Sequence, residues 1–88
     1  MPARLTVKSV AGRCGAGHKV GDAYLTDGLT LRPENGGPIC LFALAGMFPY
    51  LTAYCRETAP SDWINRLSQL ACPDAANQVI FGVERVSA

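Results

Sequence analysis

Residues 39–55, ICLFALAGMFPYLTAYC, run seventeen positions without a charged side chain and carry both Gly46 and Pro49. No other stretch of the 88-residue chain is as apolar, so the remaining short and turn-rich segments are expected to fold against it. It is short for a membrane span, which takes roughly 17–25 predominantly apolar residues. Gly46, Pro49, Thr52 and two tyrosines dilute it further. It reads as a core helix starting near Ile39 or Cys40, with Pro38 in the first turn, where a missing N–H is harmless. Apolar residues fall all round it, which predicts a helix enclosed on most sides. Pro49 lacks the N–H that would bond the Ala45 carbonyl, so a kink or break is expected near residues 46–48.

Working back toward the N-terminus, residues 33–38 (PENGGP) read as a chain breaker. Before them, AYLT and LTLR flank Asp27-Gly28, the signature of a two-residue hairpin. That register sets Thr26 opposite Leu29 and Tyr24 opposite Leu31. Residues 12–21 hold four glycines around Cys14 and His18 and form an irregular loop. Residues 5–10 alternate Leu5 and Val7 with Thr6 and Lys8, a half-buried first strand.

On the other side, Ser61 and Asp62 suit a helix start, and Trp63, Ile64, Leu67, Leu70 and Ala71 recur at helical spacing. An amphipathic helix of about three turns is expected there, closed by Cys72-Pro73-Asp74. Residues 78–86 form the last strand, with Val79, Phe81 and Val83 on one face. The chain thus reads as one α+β domain over residues 1–88. It has a small, mostly antiparallel sheet of about four strands, with the kinked apolar helix and the amphipathic helix packed on one face. The first and last strands are expected side by side.

Eight basic and seven acidic residues give a net charge of +1, with no cluster of one sign. That excludes the basic face of a nucleic-acid binder. A signal-peptide-like leader is absent from the first fifteen residues, so the expected compartment is the cytoplasm, where thiols stay reduced or metal-bound. So small a domain buries a thin core, and a metal, a disulfide or a partner often supplements one. The uncharged helix makes a homodimer an expectation as well.

Four cysteines and one histidine carry the candidate chemistry. Cys14 and His18 share a glycine-bearing turn, CGAGH, from which both donors can face one ion. Together with Cys40 and Cys72 they make a Cys3His set, a known complement for tetrahedral zinc, although Cys40 and Cys72 lack the usual paired spacing. Cys40 has a second use as a nucleophile. At a helix start, free N–H groups and the helix dipole stabilise a thiolate, with His18 as base and Asp22 or Asp74 orienting it. Cys55 lies about 22 Å from Cys40 along a straight helix and reads as packing. Phe42, Phe48, Tyr50, Tyr54 and Trp63 are expected in the core or on the wall of a pocket for a flat apolar ligand.

The combined pattern is Cys14-x2-Gly17-His18-x2-Gly21-Asp22, Cys40 leading an apolar helix through Pro49-Tyr50, and Cys72-Pro73-Asp74 before a strand ending in Glu84-Arg85. It resembles a family of small uncharacterised proteins of bacteria and archaea of about this length. Leu41-Phe42 and Tyr54-Cys55-Arg56 depart from that family's usual residues. The resemblance implies that Cys14, His18, Cys40 and Cys72 occupy motif positions and Cys55 does not. It implies no activity, although some members accompany biosynthetic genes. Three functions follow as expectations: a zinc module on Cys14, His18, Cys40 and Cys72; a small enzyme or ligand-binding protein using Cys40 and His18; or an interaction module with inert cysteines.

Overall fold

In the computed structural model, which describes residues 1–87, five strands form one antiparallel sheet in the order β3-β2-β1-β5-β4. The strands are β1 (Ala3–Val10), β2 (Ala23–Thr26), β3 (Leu31–Asn35), β4 (Gln69–Ala71) and β5 (Val79–Arg85). One helix, α1 (Leu41–Tyr54), and a single 3-10 turn (Trp63–Arg66) complete the fold. The α+β class and the antiparallel sheet are as expected. The fifth strand replaces the second helix.

The centre of the sheet follows the alternation directly. β1 pairs with β5 along almost its whole length, Leu5 opposite Val83 and Val7 opposite Phe81. All four side chains are buried on one face, where Ala43, Met47, Leu51 and Tyr54 of α1 cover them. The opposite face is polar, with the Arg4 guanidinium bonded to Glu34 at 2.7 Å and to Glu84 at 3.3 Å.

Several sequence expectations are corrected. The β2–β3 connection has four residues, not two, and sets Thr26 opposite Leu31 and Tyr24 opposite Pro33. Side chains close this loop. Asp27 Oδ1 accepts the N–H groups of Leu29 and Thr30 at 2.9 and 2.7 Å, and the Thr26 hydroxyl receives the Gly28 N–H and donates to the Thr30 carbonyl. Gly28, at φ +95°, lies where a Cβ would come within 3.0 Å of the Cys55 side chain. Glycine here lets the loop lie against the end of α1. β3 also runs on through Pro33, which an edge strand tolerates because one side of its ladder is free.

The expected second helix is instead the 3-10 turn followed by β4. Asp62, not Ser61, caps the turn by accepting the Ile64 N–H at 3.0 Å. Residues 69–71 pair with Gly82, Phe81 and Ile80 of β5, and this ladder outweighs the helical spacing of the side chains. Finally, α1 starts after Pro38 and Cys40, runs unbroken through Pro49, and is covered on one side only. Leu41, Phe42 and Phe48 are 79, 75 and 59% exposed. Without a second helix the chain has nothing to lay over that face.

No helix of the described residues is long and apolar enough to cross a membrane.

Candidate functional site

The glycine-bearing loop 11–22 folds back beneath the start of α1, and His18 sits at its centre. The ring is packed edge-on against Tyr24 and Phe81, with centroids 5.9 and 5.6 Å away, and its side chain is 1% exposed. Each ring nitrogen has a partner. Nε2 accepts the backbone N–H of Cys40 at 3.1 Å, which leaves the proton on Nδ1 of the neutral ring. Nδ1 faces the Tyr24 hydroxyl at 3.2 Å and the Asp22 carboxylate at 3.4 Å. Tyr24 in turn donates to the Pro38 carbonyl at 3.2 Å. Burial raises the Tyr24 phenol above its ordinary range, with the Asp22 charge adding to the effect, so the hydroxyl stays a donor.

His18 and Tyr24 therefore grip the chain at Pro38 and Cys40, two of the three residues that lead into α1. Cys40 is the N-cap residue, and its side chain makes no capping bond. Around it lies a cleft of about 750 Å³. One wall is Cys14, Gly15 and Ala16; another is Ile39 to Phe42; the third is Cys72, Pro73, Asp74 and Asn77. The cleft is within the size range of small-molecule sites, and its walls are mainly apolar.

Three of the four sequence-nominated metal residues, Cys14, Cys40 and Cys72, thus reach one cleft, while His18 lies behind it. The thiols are not equivalent. Cys72 is buried, its sulfur accepting the Val79 N–H at 3.2 Å and donating to the Asn77 carbonyl at 3.9 Å. Cys14 and Cys40 are partly exposed. Among the described residues, no three of His, Cys, Asp and Glu stand together closely enough to hold a metal ion. As for orienting His18, Asp22 is in place, whereas the Asp74 carboxylate receives the Ala76 and Asn77 N–H groups. His18 meets Cys40 at the backbone and not at the thiol, so a base role would require the Nε2 bond to be given up.

Cys55 is buried, and burial raises its thiol above the ordinary range, in keeping with packing. Trp63 is 57% exposed and lies edge-on to Tyr50, with ring centroids 6.1 Å apart, outside the cleft. Two residues of the site go beyond the sequence expectations. Tyr24 is expected there only as a hairpin residue, although a tyrosine on a buried face needs a partner for its hydroxyl, which is a usable signal. Asn77 accepts the Arg13 N–H at 2.8 Å, tying the 11–13 segment to the β4–β5 loop; nothing in its spacing marked it.

Comparison with protein-family models, curated proteins and solved structures finds no match to this chain.

Proposed function

We propose that this chain is a small ligand-binding protein whose site is the cleft at the head of α1, occupied by a small, mainly apolar molecule that reaches the Cys14 and Cys40 thiols. One observation carries the reading. Cys14, Cys40 and Cys72, far apart in sequence, line a single cleft of about 750 Å³ whose floor is fixed by the His18–Tyr24 clamp. Ile39, Leu41, Phe42 and Pro73 supply apolar area, and Asp74 and Asn77 supply polar orientation.

The test is a fragment screen read by backbone amide shifts. Binders should perturb residues 14–16, 39–42 and 72–77, and prior alkylation of Cys40 should abolish the response. Hits that map elsewhere, or that ignore alkylation, would reject the site.

The second reading is zinc, favoured by the same convergence of thiols. Cys14, Cys40 and Cys72 would have to draw together on the ion as thiolates, since they do not stand close enough here to share one, and His18 would join only on releasing the Cys40 N–H. Elemental analysis after purification without chelator decides it: stoichiometric zinc and a lower melting temperature in chelator support it, and substoichiometric metal with unchanged melting removes it.

A further inference from the structure

The sheet-facing side of α1 is covered by its own chain; the outward side is not, and it has no charge anywhere along its fourteen residues. Leu41, Ala45, Phe48 and Thr52 form one ridge, with Phe42 and Pro49 beside it. Along the ridge runs an apolar groove of about 590 Å³, closed on its far side by Leu29 and Leu31 of the β2–β3 hairpin. Leu29, at the tip of that hairpin, is 89% exposed.

We infer that this face is the contact between two copies of the chain, packed about a two-fold axis. Three features select a second copy as the occupant. First, the surface complements itself: it presents an apolar ridge next to an apolar groove, so a two-fold lets each copy's Leu41–Phe48 ridge enter the other's groove. Second, a copy brings its own charges to the axis, and an uncharged helix is the arrangement in which like charges do not meet. A lipid surface is less well matched, because no lysine or arginine lies on this helix to engage headgroups. Third, the area suffices. At ~200 Å² for a free side chain of this size, Leu29, Leu41, Phe42 and Phe48 leave on the order of 600 Å² open. Two such faces together bury about 1,200 Å², the lower end of the range for a specific interface. An apolar patch of this extent is at the top of the range found on monomers, where such patches are often functional.

The contact also bears on the thiol cleft, because Ile39 and Leu41 line both the groove and the cleft. Pairing narrows the mouth in front of Cys40 whatever the cleft binds.

Sedimentation and light scattering across a dilution series test the inference. The expected species is twice 9.3 kDa at high concentration, with alkylation of Cys40 slowing as the dimer forms. Phe48→Glu and Leu29→Glu, both at exposed positions, should give folded monomers by circular dichroism, and Lys8→Glu on the opposite sheet face should leave the dimer intact. Since Leu29 lies on a loop tip, its variant stays informative if Phe48→Glu fails to fold. A 9.3 kDa species at every concentration, or glutamate variants that remain dimeric, would overturn the inference. So would a chain that is monomeric in buffer but floats with phosphatidylcholine vesicles, which would assign the face to a membrane.

Discussion

His18 shows how far one side chain's chemistry depends on what the backbone brings to it. A histidine four residues from a cysteine reads as a ligand or a base, yet here it accepts the Cys40 N–H and holds the start of α1 against the sheet. His18→Ala removes the acceptor and leaves a cavity between Tyr24 and Phe81, and should cost about 2–3 kcal/mol in urea denaturation. Long-range nitrogen spectra of the wild type should show the Nδ1–H tautomer. An Nε2–H ring would contradict the bond to Cys40. The convergence of Cys14, Cys40 and Cys72 was legible as a motif, because loops at one end of a small sheet have few other places to go. Their unequal roles were not. Cys72 is engaged by the Val79 N–H, a contact that exists only once β4 and β5 are paired.

At the level of elements, β1, β5 and their adjacency were legible because period-two alternation meets no rival there. The stretch 63–71 misled for the opposite reason. Its apolar spacing suits a helix, but the Leu70 backbone sits opposite Phe81 and the ladder decides. The β2–β3 loop misled because Asp27-Gly28 is ambiguous between a tight turn and a longer loop capped by the aspartate. That cap has a pH signature. The N–H groups of Thr30 and Leu29, bonded to the Asp27 carboxylate, hold its pKa below the usual aspartate range. A depressed carboxylate contributes stability above its unfolded pKa and loses it as pH falls through the lower, folded value. Protection of the Leu29 and Thr30 amides, taken relative to the intrinsic exchange rate at each pH, should therefore hold through the usual aspartate range and fall below it. Asp27→Ala should lack that protection at every pH.

Over the whole molecule, the exposed side of α1 follows from economy of length: one sheet and one helix make a two-layer domain with a single core. Arg85 helps fasten the two layers together. Its guanidinium donates to the Tyr54 carbonyl at 3.0 and 3.2 Å and to Asn65 Oδ1 at 2.7 Å, and stacks 4.2 Å over the Tyr54 ring. Arg85→Ala should lower stability by about 2 kcal/mol, and Arg85→Lys should recover little, because an ammonium cannot make the forked contact and the stack together. A melting temperature equal to wild type in Arg85→Lys would show the geometry to be dispensable.

The pairing of β1 with β5 has a consequence in time. The middle of the sheet joins segments some eighty residues apart, as in the Arg4–Glu84 contact. Until that long loop closes, α1 has no complete surface to dock on. Topologies dominated by such distant pairings fold over milliseconds to seconds. Through that interval the uncharged helix stands open to any neighbour, so the same segment that forms the core also sets the chain's exposure to aggregation while it folds.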